Sequence, residues 1–440
     1  MSDRPGPEIL CPPMTGRSVP SHVPLWLALE RSARWSPETL RRWHAARLDE
    51  VIRHAYGNVP LYSPRGRPPA VHEPEDLAAV EVLDAASVRA VPIEARLAME
   101  PPPGTDRSTT SGSTGATAPV LHPPVLRRYL GASLWRRDRA RGIRPLRRRA
   151  RMGVGGSPGE AARVVGRRRL RLDAGAPPEA LARAVERFEP HVLIGYPHLL
   201  AEIAGHLEVP LRAQAVTCFG EQLDPATRAE LRAGFGVEPL DSYGANEFGP
   251  LAWQCREVDA YHLNHELVYV ELVDDQLRPV PPGVLGHVLV TDLVNGLLPH
   301  IRYRVGDLAA WSTRRCRCGH RLPTFERIAG RQLDWLVGAG GARIAPERLW
   351  MDLLVPIEAM TGAVERYRVH QHVGGDVQVS VVPRGAWDEV FAASVREAYQ
   401  RELGPEIVVR VVPVDHISRL SSGKFPMVTS EAARALEPRA

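Results

Sequence analysis

One residue type is almost missing from this chain. Of its 440 residues 56 are lysine or arginine, and Lys424 is the only lysine. Arginine stands wherever either cation would serve, so the exception is informative. An ammonium is a compact, flexible point charge, whereas a guanidinium is a planar fork. Lys424 therefore marks a place where an ammonium is needed, unless it survived by chance. Cysteine is scarce too. Cys11, Cys218, Cys255, Cys316 and Cys318 are too few and too odd in number for a disulfide scaffold, which leaves reduced thiols or metal ligands. No apolar run of about 18 residues occurs, so a membrane span is not expected. The opening MSDRPGPEILCPP lacks the basic-then-apolar pattern of a secretory signal. A cytoplasmic location follows as the expectation. Nor is there a large excess of one charge. The net value of +5 is mildly basic and favours only weakly a polyanionic partner such as a nucleotide, CoA or nucleic acid.

What is present reads as an α/β protein. Ser36-Pro37 starts a helix along which Leu48, Val51, Ile52 and Ala55 repeat at helical spacing, and Asn58-Val-Pro60 stops it. Residues 101–119 are rich in Pro, Gly, Ser and Thr, as a loop is. From 178 to 244, helices alternate with short apolar strands at 191–195 and 215–220, and Asp224-Pro225 caps a third helix. That alternation argues a parallel sheet covered on both faces. Ligands of such sheets sit beyond the carboxyl ends of the strands, here Gly195-Tyr196, Gly220-Glu221 and Tyr243-Gly244. Residues 266–311 alternate apolar and polar as antiparallel strands do. Beyond Gly330-Arg331 a helix at 346–360, strands at 365–371, 377–382 and 407–412, and an intervening helix make a compact α+β unit. The boundary divides the chain into 1–330 and 331–440.

Several short segments carry chemistry. Thr109–Gly115 (TTSGSTG) packs hydroxyls and glycines that suit a phosphate cradle, although a flexible Ser/Gly linker reads the same way. It is not a P-loop, because no lysine follows the glycine. In Asp241–Glu247 (DSYGANE) a tyrosine face can stack on a purine, and Glu247 can hold Mg²⁺ beside a triphosphate. Asp307, in YRVGD, can accept from two ribose hydroxyls. Ser421–Lys424 (SSGK) puts the sole lysine on a polar loop. Cys255, His262, Cys316 and Cys318 form a three-sulfur, one-imidazole set that suits tetrahedral structural Zn²⁺, with His265 and His320 as rival ligands. Cys11 and Cys218 read as ordinary thiols, Cys218 buried in a strand. The arginine-rich stretch 136–171 reads first as a solvated face, and otherwise as a site for CoA phosphates or nucleic acid. Tyr129, Trp135, Tyr196 and Phe219 are candidates for an aryl pocket, or simply core.

The order TSGSTG, FGE, DSYGANE, YRVGD, GRQLD, SSGKFP resembles the acyl-adenylate-forming superfamily, and in particular its phenylacetate–CoA ligase-like branch. RLDEVIRHAYGNVPLY and LIGYP also look like that branch, so the resemblance spans nearly the whole chain. It implies a large N-terminal adenylation domain with parallel sheets plus antiparallel strands, and a small mobile C-terminal α+β domain. It also implies activation of an aryl or acyl carboxylate by ATP to acyl-AMP, then transfer to CoA. Ser111, Gly112, Ser113, Thr114 and Gly115 would cradle the β- and γ-phosphates. Gly220, Glu221, Ser242, Tyr243 and Gly244 would line the adenine pocket, Glu247 would bind Mg²⁺ and Asp307 would hold the ribose. Arg331 would lie by the ribose or phosphate at the hinge. Lys424 would bridge the carboxylate and the α-phosphate. The cysteine set is similar to one in some members of the branch. Two departures stand out: Ala116 where the family often has Lys, and Leu333 in place of a charged hinge residue, which bears on the second step. The competing expectations are an amine or carrier-protein thiol as acceptor, and a non-catalytic, arginine-rich nucleic-acid binder. A homodimer is compatible with the reading.

Overall fold

The computed structural model describes residues 10, 14, 21–109, 119–144, 146–153, 160–331, 335–344, 364–419, 424–425 and 427–436. Ser111 to Gly115, Cys11, Leu333, Asp334 and the helix expected at 346–360 lie outside them. The chain packs as two units interleaved in sequence. One comprises 1–146, 240–305 and 309–328, the other 147–239, 306–308 and 329–440.

In the first unit, the helix Pro37–Asn58 begins as its sequence requires. The Ser36 hydroxyl accepts from the Thr39 amide, and Pro37 occupies the first turn, where a missing N–H is harmless. Leu48, Val51, Ile52 and Ala55 are all buried in the main core of this unit. The sheet runs, in spatial order, through Val268–Val273, Gly286–Asp292, Tyr303–Trp311, Thr324–Arg331, Val258–Leu263, Gly249–Cys255 and Leu240–Ala245. The expected alternation at 266–311 is the antiparallel pair 268–273 with 286–292. Where a plain loop was expected at 101–119, Asp106–Thr109 and Pro119–His122 pair antiparallel.

The second unit holds the parallel block. Val192–Gly195 pairs in parallel with Ala215–Phe219 on one side and Arg149–Gly153 on the other, and Arg169–Asp173 continues the parallel set. Helices Pro178–Phe188, Pro197–Gly205 and Pro225–Phe235 cross between or beside the strands. The third is capped as expected by Asp224, which accepts from the Thr227 amide at 2.9 Å. Cys218 is fully buried within Ala215–Phe219. The C-terminal part of this unit orders Val409–Pro413, Val377–Pro383, Val364–Gln371 and Val428–Ser430 into one sheet. Helix Glu389–Leu403 packs on it through Phe391, Val395 and Tyr399. No helix among the described residues is long and apolar enough to cross a membrane.

Candidate active site and metal centre

The strand ends of the second unit converge on the sole lysine. Gly220 ends Ala215–Phe219 with φ +79°, a conformation open mainly to glycine. A Cβ there would lie 2.9 Å from Tyr196 Cε1 and 3.6 Å from Lys424 Cε. Tyr196, the N-cap of the helix Pro197–Gly205, has its ring 5.9 Å from Lys424 Nζ. This is within range of a cation–π contact. Phe219 flanks Tyr196 at 5.2 Å between ring centroids.

The Glu221 side chain is 5% exposed, and each of its carboxylate oxygens has a partner. Oε1 accepts the backbone N–H of Phe425, and Oε2 lies 3.1 Å from His198 Nδ1. His198 Nε2 sits 3.4 Å from Asp224 Oδ2. Burial alone would lower the imidazole's pKa, but Asp224 and Glu221 outweigh it and raise it to about 9. His198 is therefore an imidazolium at neutral pH. It is a functional candidate that motif reading missed, because a lone histidine in a helix is ordinary until its acidic partners are known.

In the first unit the DSYGANE segment forms a strand and the turn after it. Ser242 and Asp241 are held by Arg141, whose guanidinium donates to the Asp241 carbonyl at 2.7 Å and to Ser242 Oγ at 3.3 Å. Gly244 faces the neighbouring strand so closely that a Cβ would lie 2.6 Å from the Gly249 carbonyl oxygen. Close backbone approach, rather than an unusual φ, explains that glycine. Tyr243 meets Phe325 edge-on at 6.4 Å. Glu247 accepts from the Tyr303 hydroxyl at 3.2 Å. Asp307 is buried on the strand Tyr303–Trp311, after Gly306 at φ +92°. Arg331 closes the strand Thr324–Arg331.

The four aromatic candidates part company. Tyr196 and Phe219 stay together, Tyr129 lies in the core of the first unit, and Trp135 is 46% exposed, stacked on His22. The arginine stretch divides as well, and its start corrects the expectation of a solvated face. Arg136, Arg137 and Arg141 are buried. Arg136 pairs with Glu266, and Arg137 with Asp138. Further along, Arg148 and Arg167 to Arg169 line an open cavity of about 650 Å³.

The cysteine set assembles as its chemistry requires. Cys255, His262, Cys316 and Cys318 bring four ligand atoms within 4.8 Å of one another. Cys316 Sγ is 3.6 Å from Cys255 Sγ, and Cys318 Sγ is 3.6 Å from His262 Nε2. A tetrahedral ion with Zn–S of about 2.3 Å and Zn–N of about 2.0 Å would put sulfurs about 3.8 Å apart and sulfur and nitrogen about 3.5 Å apart. No disulfide joins the described cysteines. Hydrogen bonding from Cys318 holds the Cys255 thiol well below its ordinary pKa, and Cys318 is pushed up in turn. Of the rival ligands, His265 turns to Glu266 at 3.5 Å, and His320 packs edge-on to His262 with centroids 5.9 Å apart.

This architecture defines a class. A 2-hydroxyisobutyryl-CoA ligase solved in its postadenylation state aligns with a TM-score of 0.71 at 21% identity, over 92% of this chain and 94% of that one. The same ligase in its thioesterification state aligns at 0.58. ATP-bound MatB from Rhodopseudomonas palustris aligns at 0.51 over 75% of this chain and 67% of that one, with 17% identity. The fold is that of the adenylate-forming acyl-CoA ligases. In sequence, the phenylacetate-coenzyme A ligase of Thermus thermophilus is 27% identical over 244 residues, covering 53% of this chain and 52% of that protein. The Escherichia coli phenylacetate-coenzyme A ligase is 31% identical over 176 residues, 38% and 39% of the two chains. The alignments thus span about half or less of these curated relatives, and no family model matches the chain. The chain thus shares the fold of these acid–CoA ligases and is similar over part of its length to phenylacetate-coenzyme A ligases.

Proposed function

We propose that this chain is an ATP-dependent ligase that converts a carboxylic acid to its acyl-AMP, releasing pyrophosphate, and then passes the acyl group to CoA. The observation that carries the reading is the sole lysine, held over Tyr196 beside the Gly220 turn at the carboxyl ends of parallel strands. In the first step a carboxylate oxygen attacks the α-phosphorus and the bond to pyrophosphate breaks. Negative charge meets negative charge, and the ammonium of Lys424 lowers that barrier by bridging the entering oxygen and the α-phosphate. In the second step the CoA sulfur attacks the acyl carbon and AMP leaves with its electron pair.

Gly220, Glu221, Ser242, Tyr243 and Gly244 take the adenine in this reading, with Asp307 and Arg331 toward the ribose and Glu247 toward Mg²⁺. The segment 111–115 takes the β- and γ-phosphates. The cysteine set takes a structural Zn²⁺: its ligand separations support that ion, and four protein ligands leave no open position for chemistry. Residues 331–440 form the mobile domain, and the enzyme works in the cytoplasm as a monomer or homodimer. An amine or carrier-protein thiol as acceptor would share the first step. Burial of Arg136, Arg137 and Arg141 removes three cations from any nucleic-acid-binding face and weighs against the non-catalytic reading.

The test is ATP–pyrophosphate exchange over a panel of aryl and acyl carboxylates, with and without CoA. Lys424→Ala should lower exchange about 10²–10³-fold, as loss of other charge-stabilising donors does. Exchange at the wild-type rate would overturn the role of Lys424. Exchange without thioester formation would transfer the reading to another acceptor.

A further inference from the structure

Glu221 stands in the FGE motif, and both oxygens of its side chain have partners within the second unit. One oxygen accepts the Phe425 amide, and the other pairs with His198. We propose that Glu221, His198 and Asp224 form a buried latch that fixes the Lys424–Phe425 peptide, and so sets the position of Lys424 for adenylation. This inference rests on the function proposed above.

The geometry makes a chain of restraints within one unit. Asp224 is fixed as a helix cap through Oδ1, to which the Thr227 amide donates at 2.9 Å. Its Oδ2 lies 3.4 Å from His198 Nε2. The imidazolium turns its other nitrogen to Glu221, 3.1 Å away, and Glu221 Oε1 takes the Phe425 amide. A carboxylate bound to a backbone N–H makes a charge-assisted bond, stronger than a neutral one. Because that N–H belongs to the peptide joining residues 424 and 425, the bond fixes the plane from which the lysine side chain departs. The Phe425 ring closes the latch. It lies over the His198 ring at 4.9 Å, only 2% of the residue is exposed, and the guanidiniums of Arg366 and Arg368 sit 5.4 and 5.1 Å from its centroid. Tyr196, which the lysine faces, is two residues before His198 and caps the same helix. One helix start therefore governs both the backbone and the ammonium.

His198, Glu221 and Asp224 act on Lys424 through other atoms and are positioning residues. Their charged surroundings are Glu202 on the helix of His198, Glu230 on the helix Pro225–Phe235, Arg366 and Arg368 on the strand Val364–Gln371, and Arg384 beyond Val377–Pro383. Glu202 pairs with Arg366, and Glu230 lies 3.5 Å from Arg384. The acidic neighbours are thus partly neutralised, which leaves His198 as the cation shared by Glu221 and Asp224.

The test measures hydrogen–deuterium exchange of the Phe425 amide, corrected for intrinsic rate, alongside both half-reactions. His198→Gln and Glu221→Gln should each speed exchange of that amide about tenfold or more, the scale for losing a charge-assisted bond. His198→Gln should also slow ATP–pyrophosphate exchange about tenfold through kcat, while thioester formation from supplied acyl-AMP and CoA stays within about twofold. Equal losses in both half-reactions would indicate a merely structural histidine and overturn the latch, as would unchanged Phe425 protection. Should either variant fail to fold, wild type alone decides. His198 loses its charge as pH rises through about 9, so Phe425 protection should fall between about pH 8 and pH 10, and a flat profile would refute the proposal. If wild type activates no carboxylate, the proposed function fails, while the Phe425 amide still reports on the latch.

Discussion

Glu266→Gln is the sharpest perturbation of the first unit, because it strips one charge from a sealed pair. Arg136 and Glu266 are both fully buried. The guanidinium donates to Glu266 Oε1 at 2.5 Å and Oε2 at 3.0 Å, to Asn264 Oδ1 at 3.0 Å and to the Leu29 carbonyl at 3.1 Å. Ser32 Oγ donates to the same carboxylate. Burial by itself would raise the Glu266 pKa, but Arg136, with help from His265 and Ser32, lowers it to about 2 from an ordinary 4.5. At about 1.4 kcal/mol per pKa unit the carboxylate contributes on the order of 3 kcal/mol. The sign follows from the depressed folded value: the contribution is complete above about pH 4.5 and is lost as pH falls toward 2. Glutamine keeps the shape and one acceptor but leaves Arg136 charged and unpaired in the interior. The expected loss is about 3–5 kcal/mol, read as a shift in the urea transition of the first unit at pH 7. The double variant Arg136→Met, Glu266→Leu should recover much of that loss, because the desolvation of both charges is removed together. A Glu266→Gln loss below about 1 kcal/mol, the scale of an exposed ion pair, would refute the reasoning, as would a double variant no better than the single.

Two further outcomes are specific. Purified wild type should carry about one zinc per chain by elemental analysis, and Cys316→Ser should lose the metal and unfold at lower temperature; wild type without metal would remove the zinc assignment. Gly220→Ala forces a side chain into φ +79° with its Cβ 2.9 Å from the Tyr196 ring. It should cost about 1–3 kcal/mol and slow pyrophosphate exchange by displacing Tyr196; unchanged melting and exchange would mean that the turn adapts freely.

The features legible in the sequence were those decided within a few residues. Ser36-Pro37 and Asp224-Pro225 announce helix starts, because capping involves only a side chain and an amide three positions on. The short apolar strands at 192–195 and 215–219 announce a buried parallel block. The cysteine set was legible for a different reason: thiols and an imidazole have a restricted set of partners, so their type constrains their meeting even across the gap from Cys255 to Cys316. The arginine stretch misled because burial of Arg136 depends on Asn264 and Glu266, some 130 residues away, and nothing in a run of arginines tells which one finds a carboxylate. His198 was silent on the same ground. Lys424 lies between these cases. Its solitude in an arginine-rich chain singled it out, but solitude says nothing about mechanism. The structure adds a physical reason for an ammonium. Its Cε passes close to the Gly220 turn, and its charge rests over the Tyr196 face. A slender stem fits beside a glycine that tolerates no Cβ, whereas a planar guanidinium is broader and has a fixed fork direction. The same closeness explains why glycine, tyrosine and lysine belong together here: enlarging the first displaces the second, and the second is the surface on which the third rests.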